Sequence, residues 1–231
     1  NLTRKDVIPP VYPDRVQPVP LQHVNLELGI PDAVDIHVEA PIRIYDGDAL
    51  VLGDLHFPHH NKLMLIRAIN VVAKKFPHIK RIIFGGDTFD FSKISQHPHT
   101  SREVGTSETV RLGGDVLSVI LKLFEEAIFL NGNHDERVAK KTDDAFDLEL
   151  LINAAIGQRW PDNCDVKVSN LDYMLLDHPE RKWVIGHPSH YSGQGGKTPS
   201  DLADVWGRNV ITFHNHVCGE SPSKSGKFVG I

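Results

Sequence analysis

An α/β fold is what this sequence predicts, and three features predict it: short apolar runs, longer stretches of helical periodicity between them, and a turn residue or polar cluster closing each run. Five runs read as strands: Ala49–Leu52, Arg81–Phe84, Ala127–Leu130, Trp183–Ile185 and Val210–Phe213. A helix expected over Lys62–Phe76 places Leu65, Ile66, Ile69, Val72, Ala73 and Phe76 on one face, as packing on a sheet requires. A second helix, Glu108–Glu126, continues across Gly113 and Gly114, and a third runs from about Asp144 to Ile156, stopped by Gly157 with Pro161 beyond.

The chain has 231 residues, 40% of them hydrophobic, enough for one large domain with a continuous core. Seven of the fifteen prolines fall within residues 1–41, so that stretch reads as a proline-rich N-terminal arm and residues 42–231 as the folded domain. A net charge of −5 and a pI near 6.3 exclude a broad basic field of the kind that grips nucleic acid, although a local strip is still compatible. Only two cysteines, Cys164 and Cys218, occur, far apart and without C-x-x-C spacing. That argues against a disulfide framework or a thiolate zinc knuckle and for a reducing, cytoplasmic setting. No apolar stretch is long enough to span a membrane, and the N-terminus lacks the apolar core of a signal peptide. Because the chain opens on Asn1 rather than Met, a fragment or a processed form is expected.

The residues just beyond the strands carry the chemistry. Leu52 leads into Gly53-Asp54-Leu55-His56, and Phe84 into Gly85-Gly86-Asp87-Thr88-Phe89-Asp90. Leu130 leads into Asn131-Gly132-Asn133-His134-Asp135, Ile185 into Gly186-His187, and Phe213 into His214-Asn215-His216. In an open α/β sheet the groups beyond the carboxyl ends of the strands converge on one rim. Carboxylate and amide oxygens with imidazole nitrogens, and no thiolate, suit hard or borderline divalent cations.

These runs resemble, in order, the five blocks of the calcineurin-like metallophosphoesterase superfamily: Asp54-x-His56, Gly86-Asp87-x-x-Asp90, Gly132-Asn133-His134-Asp135, Gly186-His187 and His214-x-His216. One block alone arises by chance, but five in order, each behind a strand, form a joint signal spanning residues 54–216. The resemblance implies a four-layer αββα sandwich with the metals on its rim. Asp54, His56 and His216 would bind one metal, Asp87 would bridge both, and Asn133, His187 and His214 would complete the second site. His134 would contact substrate, with Asp90 orienting it. The last block usually opens with glycine, and here Phe213 stands in that place. Only fifteen residues follow His216, fewer than the closing strands would need, so a shortened C-terminus is expected.

The activity implied is hydrolysis of phosphate esters, diesters preferred, using hydroxide held by two divalent ions for in-line attack on phosphorus. Manganese is the expected ion, with iron, zinc or nickel as alternatives. The substrate is a phosphate ester, nucleotides and nucleic acid included, and no membrane partner is expected. The Asn133-His134-Asp135-Glu136-Arg137 run is most similar to bacterial and bacteriophage members. A phosphomonoesterase or protein phosphatase of the same fold is the alternative, lowered because Phe91-Ser92 follows Asp90 where protein phosphatases carry Arg-Gly. An amide or lactone hydrolase would need an H-x-H-x-D-H run, which is missing. A non-catalytic scaffold would typically have lost a ligand or the catalytic histidine, and every expected position is filled. Arg137 reads equally as a phosphate clamp or as the first turn of a solvated helix. Ser192–Lys197, which lacks the P-loop pattern, reads as a linker or mobile lid.

Overall fold

The computed structural model describes residues 39–95 and 104–231. The expected arm therefore lies, up to residue 38, outside the described residues. In chain order the elements are β1 (Arg43–Ile44), β2 (Ala49–Leu52), α1 (Lys62–Lys75), β3 (Arg81–Phe84), α2 (Thr106–Ile120), β4 (Glu126–Leu130), α3 (Glu136–Lys141), α4 (Leu148–Ile156), β5 (Asp165–Ser169), β6 (Tyr173–Asp177), β7 (Lys182–Gly186), α5 (Lys197–Trp206), β8 (Asn209–Thr212), β9 (Ser221–Pro222) and β10 (Val229–Gly230). This is an α/β protein with two sheets. Strands β2, β3, β4 and β5 form one in that order, all parallel. The other runs β1-β6-β7-β8-β10-β9 and is mixed, β7 being parallel to β8 and antiparallel to β6.

Alternation along the strands decides where each side chain packs. Ile82, Phe84, Ala127 and Phe129 cluster with Leu117 of α2 and with Leu151 and Ile152 of α4, the rings of Phe84 and Phe129 stacked 4.3 Å apart. Their neighbours Ile83, Ile128 and Leu130 turn the other way and cluster with Met174 and Ile185 of the mixed sheet. Leu175, Val184 and Val210 of the mixed sheet cluster in turn with Ala203 of α5. The fifteen residues after His216 supply β9 and β10, which close the edge of the mixed sheet.

Three helix boundaries and faces differ from the sequence expectation. On α1 only Leu65 and Val72 are buried, while Ile66 and Phe76 stay 45% exposed, so the anticipated apolar stripe is only partly used. Helix α2 ends at Ile120 in a short 3₁₀ turn, and Glu126 opens β4 because the backbone becomes extended at Phe124. Helix α4 starts at Leu148 rather than near Asp144, because the Asp147 side chain accepts from Leu150 N and caps it.

The two glycines inside α2 have a packing reason. A Cβ on Gly114 would come 1.9 Å from the carbonyl oxygen of Ala155 on α4, and one on Gly113 would meet the Phe89 ring at 2.6 Å. Gly114→Val is expected to cost about 1–3 kcal/mol through overpacking. The check is a urea unfolding midpoint that falls with unchanged slope. A loss below about 0.5 kcal/mol would show that the α2–α4 crossing is slack.

Candidate metal centre

The register of the sheets builds the site. Because β2, β3 and β4 are parallel and aligned, the loops carrying Asp54, Asp87 and Asn133 leave from one rim, and parallel β7 and β8 deliver His187 and His214 in the same way. Two of these loops extend the pairing beyond the strands: Asp54 N donates to Gly86 O at 3.1 Å, His56 N to Asp87 O at 2.9 Å and Phe57 N to Thr88 O at 2.9 Å. Phe57, Phe89 and Phe91, fully buried, sit beside His56, Thr88 and Asp90 and root both loops in the core. Gly132 is obligatory, since a Cβ there would lie 2.0 Å from Asp87 N. Phe213 is accommodated by glycines opposite: its ring fills the positions that a Cβ on Gly53 or Gly85 would take, 2.2 and 2.3 Å away. Its neighbour His214 then donates its backbone N–H to the Asp54 carboxylate at 2.9 and 3.1 Å, which ties the last loop to the first.

All nine residues anticipated for the site meet here. Asp54, His56 and His216 form one set of ligand-type atoms and Asp87, His187 and His214 another, the atoms of each set lying within 4.8 Å of one another. Asn133 joins the second set, its Oδ1 standing 2.6 Å from His214 Nδ1 and 3.1 Å from His187 Nε2. Asp87 stands between the sets. Its Oδ1 accepts His134 N at 2.7 Å, leaving Oδ2 at 3.2 Å from His187 Nε2 and 3.7 Å from His56 Nε2. The first set is looser, with Asp54 Oδ1 4.0 Å from both His56 Nε2 and His216 Nε2, and His216 is largely exposed.

These buried and half-buried Asp/His clusters could hold metal ions. With Nδ1–H of His187 donating to Gly85 O at 3.2 Å, its Nε2 faces Asp87 Oδ2 and Asn133 Oδ1 and is the nitrogen that would become a ligand when a cation replaces its proton. Ligands at right angles on a cation at about 2.1 Å are about 3.0 Å apart, and the atoms of the second set stand 2.6–3.2 Å apart. The carboxylates stabilise positive charge at this spot, whether it is carried by a ring proton or by a cation. Burial works against charging His56 and His187, yet Asp90 and Asp87 respectively, with Asp54, hold both above the usual imidazole range. Asp87 is only 1% exposed, and though burial pushes it up, His187 and His134 keep it below the usual carboxylate range. His214 is lowered by burial and by its neighbour His187.

Five of the seven ligand candidates also adopt left-handed backbone: Asp54 (φ 51°), His56 (47°), Asp87 (49°), His214 (96°) and His216 (54°). Such conformations cost on the order of 1–3 kcal/mol each and persist only where the surroundings impose them. Here the paired loops and rooted phenylalanines do so.

His134 and Asp90 lie beside the two sets. His134 Nδ1 is 2.6 Å from Asp90 O and 3.4 Å from Asp90 Oδ1, and its Nε2 is 3.9 Å from Asp87 Oδ2. With His56 they make a third set of ligand-type atoms. A cation of the chain already serves it, for the Arg137 guanidinium donates to Asp90 O at 3.2 Å and stands 2.8 Å from His134 Nδ1. Arg137 thus lies in the first turn of α3 but is turned inward rather than solvated. Asp90 is held well below the usual carboxylate range by His134 and His56 despite partial burial.

Sequence reasoning gave Asp135 no role, yet it is buried, and its two oxygens accept Thr88 N at 3.0 Å and Phe89 N at 2.8 Å. It clamps the Asp87 loop onto the Asn133 loop. Burial, then the charge on Asp87, raises its pKa. The Asn-His-Asp run contained it, but nothing there separates a ligand from a carboxylate bonded to a neighbouring backbone. The Ser192–Lys197 stretch leads into α5: Gly195 lies against Cys218 O, and Gly196, at φ 74°, is the N-cap of that helix.

A scan against protein-family models and a search of curated proteins find no match to this chain. Among the described residues, no helix is long and apolar enough to cross a membrane.

Proposed function

We propose that this protein is a metal-dependent phosphoesterase with a preference for phosphodiesters, built on the αββα plan of the calcineurin-like metallophosphoesterases that its motifs resemble. The observation that carries the reading is the convergence of seven ligand-type side chains from five strand-end loops, with Asp87 Oδ2 between two sets. Helices and sheets clustering as α2/α4, first sheet, second sheet and α5 are compatible with that plan.

In this reading Asp54, His56 and His216 hold one divalent ion, Asn133, His187 and His214 the other, and Asp87 both, with manganese the first candidate. Bound, the two ions would neutralise charge on the phosphate and make water nucleophilic at neutral pH. The side chains do the rest. Asp135 and the backbone of the Asp54 loop fix Asp87, the Gly85 carbonyl fixes the tautomer of His187, and His134 delivers a proton to the departing oxygen. Asp90 and Arg137 orient His134. The preference for diesters over monoesters follows the resemblance of the Asn133–Arg137 run to bacterial and bacteriophage members, and it is what the substrate screen decides.

The test is a screen with added Mn²⁺ of bis-p-nitrophenyl phosphate, p-nitrophenyl phosphate and a p-nitrophenyl amide. The diester is expected to be hydrolysed fastest and the amide not at all. Preference for the monoester would shift the reading to a phosphatase, and inactivity on every probe at verified metal loading would favour a scaffold.

A further inference from the structure

Helix α1 turns two different faces to its surroundings. Leu65 and Val72 lie in the core that they share with Ile82 and Phe84 of the first sheet. Leu63, Ile66, Asn70 and Ala73 form a stripe turned away from that core, and all four are exposed, Leu63 to 79%. We propose that this stripe docks an acidic amphipathic helix of another protein, through apolar contacts along the stripe and ion pairs to the cations beside it. The surface lies outside the metal centre, and the proposal does not depend on the reaction assigned there.

The spacing is that of a helix-pairing seam. Steps of three, four and three residues separate Leu63, Ile66, Asn70 and Ala73, the repeat that keeps one edge of a helix against a partner helix. Leu63 and Ile66 supply apolar knobs, Ala73 leaves room for a close approach, and Asn70 is the kind of polar group that fixes register in such seams. Lys62 precedes Leu63, while Arg67 and Lys74 follow Ile66 and Ala73, so cations hold the positions from which paired helices form their ion pairs. The opposite flank is a poorer seam, because between Met64 and Val71 the half-buried Ala68 turns inward and Lys75 ends the row. From Leu63 to Ala73 the stripe runs about 16 Å, a small contact of the kind transient partners make.

Charge selects the occupant. Helix α1 contains no acidic residue, so its cations have no partner along the helix, in contrast to Arg111, Lys140 and Lys197, each of which meets a carboxylate three or four residues away. The chain as a whole is net negative, at −5, so a helix carrying only cations is a local exception. A second copy pairing α1 with α1 would set cation against cation whichever way the helices run, and like charges across a seam oppose it. Arg67 and Lys74 stand opposite Leu65 and Val72 on the helix and would meet a lipid surface first, whereas an interfacial helix leads with apolar residues. A nucleic-acid backbone would use the cations but gain nothing from Leu63 and Ile66. A helix with an apolar seam and acidic flanks satisfies both features.

The experiment titrates the full chain into a fluorescein-labelled synthetic helix with Leu and Ile along its seam, one Asn to face Asn70 and Glu at every flanking position, and into a twin with Lys in place of each Glu. The Glu helix is expected to bind with a dissociation constant below about 100 µM, and the Lys twin at least about tenfold more weakly. Rising salt is expected to weaken the Glu helix. Arg67→Glu combined with Lys74→Glu is expected to reverse the preference, and Leu63→Ser combined with Ile66→Ser to weaken the Glu helix at least about tenfold. Leu65 and Val72 stay in place in both variants, so each is expected to keep the wild-type unfolding midpoint. Equal binding of the two helices to the wild-type chain, or a Glu helix unaffected by the paired serine substitutions, would overturn the proposal. So would tighter binding through the same residues to phosphatidylglycerol vesicles or to duplex DNA, or a concentration-dependent dimer that Leu63→Ser abolishes. Comparing the two helices on the wild-type chain needs no variant, so the test stands even if a substitution prevents folding.

Discussion

His134→Ala is expected to lower kcat on alkyl diesters by roughly 10²–10⁴-fold, the usual reach of general acid catalysis, and distinctly less on nitrophenyl esters. An alkoxide leaves poorly without a proton, whereas p-nitrophenolate departs as an anion unaided. The geometry supports this division of labour. His134 belongs to neither main ligand set, its Nδ1 is anchored at 2.6 Å to Asp90 O beside the Arg137 guanidinium, and its Nε2 is left facing the centre. Removing the ring should therefore leave the ions bound. Comparing kcat for both ester types at matched metal content checks it, and equal losses on good and poor leaving groups would reassign His134 to binding or metal positioning.

The other large effect belongs to Asp87→Asn. One carboxylate oxygen standing between two ligand sets offsets the repulsion of two dications, and an amide of the same shape cannot. Both ions should be weakened, by about 10–100-fold or more in affinity, while His187→Ala should empty mainly one site. The amide oxygen of the variant can still accept His134 N, as Asp87 Oδ1 does at 2.7 Å, so the loop should survive and the loss can be read as electrostatic. Metal counts showing the same single-site loss in both variants would remove Asp87 from the bridging position.

The parts of the fold legible in the sequence were those where local pattern and tertiary role agree. Strands β2, β3, β4, β7 and β8 are apolar runs closed by a glycine or a ligand loop, because their ends must turn sharply at the rim. Strand β5 was missed because Asp165 and Lys167 face outward from a sheet edge, so its five residues carry little apolar signal. β1, β9 and β10 are two-residue strands created by pairing alone. α5 was hidden by Gly195-Gly196 and by Pro199, which reads as a breaker but is tolerated in a first helical turn. For the site, ligand identity was legible because five loops repeat one chemical theme. Asp135 and Arg137 were not, since their work is to hold backbone and ring in place, and only the folded geometry distinguishes that from solvation.

A catalytic two-ion centre is tested most directly by stripping it and reloading it. Protein dialysed against EDTA, with metal loss verified by elemental analysis, should lose its activity on bis-p-nitrophenyl phosphate, and titrated Mn²⁺ should restore it as occupancy approaches two ions per chain. Full activity in the verified metal-free protein would contradict a nucleophile that depends on bound ions.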